Sequence, residues 1–295
     1  MAEEVVDIVD LSRASAARAS FARLCVGPDE AIDLATCALL IAAEDLADDP
    51  EASPLRMTPY LAEIDRLAAK VMGRVAPGAP VAERLMALDQ VLFDEAGYEG
   101  DTERYYHRDN ALLPRVIDRR RGLPILLSIL YVEVARRCDV DASGVGFPGH
   151  FLVRCEVDDG FVMLDPFHRG RFLDRDACMK LLEKTTSGAM TFTPSLLRPA
   201  SSRGILARVL TNLRQVYLLE GDEPRALRAQ DRLVLLAPDS APVLRERARL
   251  FERLGALDPA VADLERCLEI APFGRDAEEA NDTLRALRSR PRRLN

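Results

Sequence analysis

Apolar residues recur at helical spacing through the first third of the chain. In "DEAIDLATCALLIAAEDL" they follow acids in the first turn, and "TPYLAEIDRLAAKVMGRV" repeats the pattern behind Thr58 and Pro59. "VAPGAP" then breaks the run before "VAERLMALDQVLFDEAGY", a third amphipathic helix ending at Gly97. A more uniformly apolar helix is predicted over "RRGLPILLSILYVEVARRCDV". The period then falls to two. "SGVGFPGHFLVRCEVDDGFVMLDPF" alternates apolar and polar positions, with "DDG" as a turn between two strand-like runs. Helix followed by hairpin predicts an α+β module with an antiparallel sheet.

The last third carries an internal repeat. Shifting it by 34 residues sets Tyr217 on Phe251, Gly221 on Gly255, Ala226 on Ala260, and Ala237-Pro238 on Ala271-Pro272. Gly lets a helix turn sharply, Ala lets paired helices approach closely, and Pro closes the second helix. This unit resembles the tetratricopeptide helix-turn-helix. Two such units bury too little alone, so Asp276 to Arg290, "DAEEANDTLRALRSR", is read as a capping helix. The expected organisation is a helical extension over 1–90, an α+β core over 91–192, a Pro- and Ser-rich linker over 193–204 and a helical repeat region over 205–295.

Composition narrows the function classes. A 295-residue chain that is 48% hydrophobic and 30% charged can bury a full core, and its net charge of -8 gives no footprint for nucleic acid. "ALLIAAEDLADD" meets acids long before a membrane-spanning length is reached, and "MAEEVVDIVD" lacks the cationic start of a signal peptide. No membrane partner is expected, and the expected location is cytoplasmic. Six scattered cysteines, at 25, 37, 138, 155, 178 and 267, form no C-x-x-C pair or zinc spacing and read as small buried apolar side chains.

Chemistry concentrates around "FPGHFLVR". A helix beginning near Pro124, His150 at the head of one strand and Asp165 closing the next reproduce the scaffold of a cysteine-histidine-aspartate site. The blocks "YYHRDNALLPRVIDRRRGLPILLSILYVEVARR", "GVGFPGHFLVR" and "MLDPFHRG", followed by the repeats, resemble the SirB-type proteins, relatives of the transglutaminase and papain-like core. The resemblance implies a papain/transglutaminase-like fold with Gly-x-Cys at the helix start. Gly122, Leu123 and Pro124 stand there instead, and proline has no atom that attacks a carbonyl. Cys138 lies about 21 Å along the helix at 1.5 Å per residue. Cys155 falls at odd spacing from His150, Cys178 follows the hairpin, and Ser128 sits one turn below Pro124.

The reading is thus a noncatalytic interaction or regulatory protein. Arg121, Gly122, Phe147, Gly149, His150, Asp165, Phe167 and His168 are the ligand-binding candidates, with Phe147 and Phe167 walling a cleft. Arg119, Arg120 and Arg121 together offer an anion site beside the helix start, against the alternative of a solvated charge run. Asn110, matching the family's Tyr-x-x-x-Asn element with Tyr106, reads as a helix cap, and His107 beside it as exposed. His168 with His150 and Asp165 offers ligand types for a metal site, but the spacing is not diagnostic: no metal is assigned, and no cofactor is expected. The expected partners are a protein or peptide and a small anion. The alternatives are a hydrolase or acyl-transfer enzyme using His150 and Asp165 with another nucleophile, and a structural assembly subunit acting through its repeats.

Overall fold

The computed structural model describes residues 14–47 and 55–289. The acidic N-terminal decapeptide lies outside them. The chain forms two compact units that divide between Val209 and Leu210.

In the first unit α1 (Ala14–Leu24) packs on α2 (Leu34–Leu46). The acids expected in the first turn of α2 fall outside it: Asp29–Ala31 is a separate 3-10 turn, and the Asp33 carboxylate caps the helix by accepting from Thr36 N at 2.6 Å. There follow α3 (Thr58–Met72) and α4 (Val81–Asp89), and α4 widens into a π turn over Gln90–Glu95. Next come β1 (Glu99–Gly100), α5 (Leu113–Arg119) and β2 (Arg121–Gly122), which pairs parallel with β1.

The centre of this unit is α6 (Pro124–Arg137), buried without interruption from Pro124 to Ala135. Its burial all round explains a run with no polar stripe. Each of its leucines and isoleucines withdraws apolar area worth about 2 kcal/mol from water. It packs on α3 and α2, and also on the sheet. That sheet is antiparallel in the order β3 (Ala142–Val145), β4 (Leu152–Val157), β5 (Gly160–Asp165) and β6 (Arg171–Leu173). Val157 pairs with Gly160 across the expected hairpin turn. The fold class is therefore α+β with an antiparallel sheet, as the change of period predicts.

α7 (Arg175–Thr186) closes the sheet's apolar face with Cys178 and Leu182. The expected linker over 193–204 holds a 3-10 turn, Pro194–Leu197, whose Leu197 joins the same cluster. Asp29 accepts from Ser202 N at 2.6 Å and Arg203 N at 2.9 Å, so this stretch is packed structure.

α8 (Ser202–Glu220) leads into the second unit, with α9 (Glu223–Leu236), α10 (Ala241–Arg253), α11 (Leu257–Ile270) and α12 (Arg275–Ser289). The paired glycines Gly221 and Gly255 adopt φ of 74° and 75°, and the paired alanines Ala226 and Ala260 are fully buried. Those are the roles their types suit: a left-handed helix end and a close helix approach. α12 covers α11 with Ala280, Leu284 and Leu287, as a capping helix must.

Candidate functional site

The Pro148-Gly149 turn sets His150. Gly149 has φ 68°, and an added Cβ would lie 2.7 Å from Thr185 Cβ, so only glycine fits there. Thr185 Oγ1 donates to Pro148 O at 2.8 Å and ties the turn to α7. His150 lies in this turn, ahead of β4, which starts at Leu152. It therefore does not open the strand, and its parity with Cys155 is not that of one strand.

Asp165 ends β5 and caps the 3-10 turn Pro166–His168, Oδ1 accepting from Phe167 N at 3.1 Å and His168 N at 3.4 Å. His150 Nε2 stands 2.9 Å from both carboxylate oxygens, and His168 Nδ1 stands 2.6 Å from Oδ2. An ionised carboxylate only accepts, so the ring protons belong on those two nitrogens, and each neutral ring keeps its other nitrogen as an acceptor. Burial alone would raise the Asp165 carboxyl, but the bonds from His150 and His168 outweigh it and hold the group down at about 2. His150 and Asp165 are 8% and 2% exposed, whereas the His168 side chain is 47% exposed.

Phe167 braces the group. Its ring meets His150 edge-on at 5.8 Å and His168 at 5.2 Å, with Tyr105 on it at 5.9 Å. It packs flat onto Gly100, where an added Cβ would fall 2.4 Å from the ring. Phe147, expected as the opposite wall, is fully buried in the cluster of Leu152, Met163 and Cys178.

Pro124 occupies the first turn of α6, preceded by Leu123 as a cap without a side-chain bond. The α6 helix packs against the 166–168 turn that carries Phe167 and His168. The three thiols weighed as substitutes are all buried. Burial pushes Cys155 up to about 12 and Cys138 and Cys178 up to about 11, so all three stay protonated at neutral pH. Cys138 donates to Ala68 O at 3.7 Å. Ser128 is fully buried, and its Oγ has no hydrogen-bond partner.

The arginine run divides. Arg119 turns inward to Asp101 at 3.2 Å and to Asn110 Oδ1 at 2.9 Å, and Arg120 takes the left-handed conformation that ends α5. Arg121 alone of the three lines a cavity of about 380 Å³ shared with Glu99, Asp101, Thr102, Phe167 and His168. It is paired with Glu99 at 2.8 Å. Gly122 is paired with Gly100 and abuts Val116, so it is a packing residue of the helix start.

Asn110 is no cap. It lies within a 3-10 turn, Arg108–Ala111, whose own cap is the half-buried His107. Pro114 in the first turn of α5 leaves one fewer N–H for a cap to satisfy. Asn110, fully buried, instead donates to Arg104 O at 2.7 Å and accepts from Arg119. Gly100, Asp101 and Tyr105 were not singled out by sequence reasoning. The signal for them lies in tertiary contact, except that "GYEGD" places a small residue next to an acid.

The transglutaminase-like superfamily matches residues 58–211, and the tetratricopeptide repeat matches residues 213–285. A UPF0162 protein of Xylella fastidiosa (strain Temecula1) is 35% identical over 247 residues, which are 83% of this chain and 86% of that protein. A UPF0162 protein of Pseudomonas aeruginosa is 35% identical over 231 residues, 78% and 82% of the two chains. The human F-box only protein 21 is 30% identical over 182 residues, 58% of this chain but 28% of that much longer one.

Proposed function

The chain belongs to the transglutaminase-like superfamily, and because Pro124 stands where that core usually carries its cysteine, we propose that it is a noncatalytic interaction or regulatory protein. Its cleft, lined by His168, Phe167 and Arg121 with His150 packed behind Phe167, takes a peptide segment or small anion. The repeats supply a second surface for a protein partner. The observation that carries this reading is the proline itself. It fits the first turn of the helix without strain, and it leaves the His150-Asp165 pair without a nucleophile to deprotonate.

The burial of all six cysteines supports the same reading, since a reactive thiolate needs an exposed, electropositive setting. Ser128 does not substitute, because a hydroxyl with no exposed surface meets no substrate.

The test is to assay peptide, amide and ester hydrolysis with the parent and with His150→Ala. Equal background rates are expected from both. Turnover by the parent that His150→Ala abolishes would overturn the proposal in favour of a hydrolase or acyl-transfer enzyme.

A further inference from the structure

Two imidazoles converging on one carboxylate oxygen is a donor set for a cation. His150, Asp165 and His168 each offer one ligand atom, and these atoms all lie within 4.8 Å of one another. The two sides that meet at Asp165 measure 2.9 and 2.6 Å. An octahedral ion with bonds of about 2.1 Å holds adjacent donors about 3.0 Å apart, so these two sides need only slight opening.

The carboxylate is already divided for this use. The amides of Phe167 and His168 engage Oδ1 and fix its plane; His150 Nε2 faces both oxygens, and Oδ2 is the one that both rings reach. Phe167 holds both imidazoles edge-on, as a supporting shell orients metal ligands. His168 is the informative member. Half exposed at a turn, it is free to point to water, yet it turns back onto a buried acid.

We infer that His150, Asp165 and His168 bind one divalent first-row transition ion through their Nε2, Oδ2 and Nδ1 atoms. Two imidazoles and a carboxylate suit Mn²⁺ through Zn²⁺ better than Ca²⁺ or Mg²⁺, which prefer oxygen throughout. The ion takes the place of the two ring protons now facing Asp165, and each proton moves to the other nitrogen of its own ring, His150 Nδ1 and His168 Nε2, so both imidazoles stay neutral ligands. Its remaining positions open on the side of His168, toward the cavity that Thr102 and Arg121 also line, where a carboxylate or small anion completes the coordination. The inference deepens the binding reading by naming what holds the anion. Its test is independent of the hydrolysis assay, so either can fail alone.

The experiment uses the untagged, chelator-treated full chain titrated with Co²⁺ and Zn²⁺ by calorimetry and visible absorption. One ion per chain is expected, with a dissociation constant on the order of micromolar or tighter. His168→Ala and His168→Asn, both at a half-exposed turn, should each weaken binding at least about tenfold while keeping the circular dichroism of the parent. The chain has only three histidines, so ring NMR gives a readout without any variant. Zn²⁺ should shift the resonances of His150 and His168 and leave those of His107 in place. The inference is overturned by the absence of saturable binding, by His168 variants that bind as tightly as the parent, or by a thiolate charge-transfer band assigning the ion to cysteines.

Discussion

His150 Nε2 lies 2.9 Å from each oxygen of the Asp165 carboxylate, so a single ring nitrogen faces both oxygens of a nearly inaccessible acid. With the second imidazole and two backbone amides, Asp165 accepts from four groups around one turn. Charge-assisted bonds of this kind are worth about 1.5–3 kcal/mol each when one is lost from a buried setting. Asp165→Asn keeps the shape but offers one acceptor oxygen and an NH₂ group that faces donors. Urea unfolding in chelator at pH 7 should show a loss of about 2–4 kcal/mol. A loss under about 0.5 kcal/mol, the range of an ordinary surface substitution, would mean that the turn does not depend on this acid.

Buried Asp101 and Asn110 with the half-buried Arg119 make a second prediction. Asp101 accepts from Arg104 N at 2.9 Å and Arg119 at 3.2 Å, and Asn110 bridges Arg119 to the Arg104 carbonyl. Burial would raise the Asp101 carboxyl, but these bonds bring it below its ordinary value. Asn110→Ala should cost about 2–3 kcal/mol, because it strands buried groups, against about 1 kcal/mol for a lost helix cap. A double-mutant cycle with Arg119→Ala should show coupling above about 0.5 kcal/mol; strict additivity would contradict the network.

What was legible in the sequence is what local pattern encodes. The helical period gives α3, α6 and the repeat helices, and the alternation about "DDG" gives β4 and β5. The His150-Asp165 adjacency and Pro124 at the helix start followed from the order of the family's blocks. Tertiary packing is another matter. A fully apolar Phe147 reads equally as a cleft wall or core, and only the packing of the sheet's cluster, where it is fully buried, decides. Asn110 has the right type for a cap, but an arginine nine positions later claims it. His168 could be placed beside Asp165 only once the 3-10 turn was known, since three residues in an extended chain would carry it away.

Gly100 tests how closely the cleft is packed. It pairs with Gly122, and its missing side chain is the space in which the Phe167 ring lies. A methyl group there meets ring carbon, not a flexible tip, so Gly100→Ala must displace Phe167 or part β1 from β2. The expected cost is about 1–3 kcal/mol, typical of overpacking. The imidazole resonances of His150 and His168, both edge-on to that ring, should move as well. Unchanged stability and spectra would show that the close approach is not maintained.

Asp89 carries the pH dependence. Its Oδ1 accepts from the fully buried Tyr131 hydroxyl at 3.0 Å and would lie 2.8 Å from a Cβ on Gly170, in the turn that follows His168. Burial pushes its carboxyl up to about 7, the Tyr131 bond opposes this, and nearby Asp94 adds to it. Against an unfolded value of about 3.9, the folded state binds the proton more tightly. The contribution is therefore full below about pH 4 and is lost as pH rises through 7. Asp89→Asn has no proton to lose, so its urea midpoint relative to the parent should climb between pH 5 and about 8 and then level off. The slope fixes the sign: a midpoint difference that stays flat, or falls with pH, would show that Asp89 is ionised in the folded protein throughout.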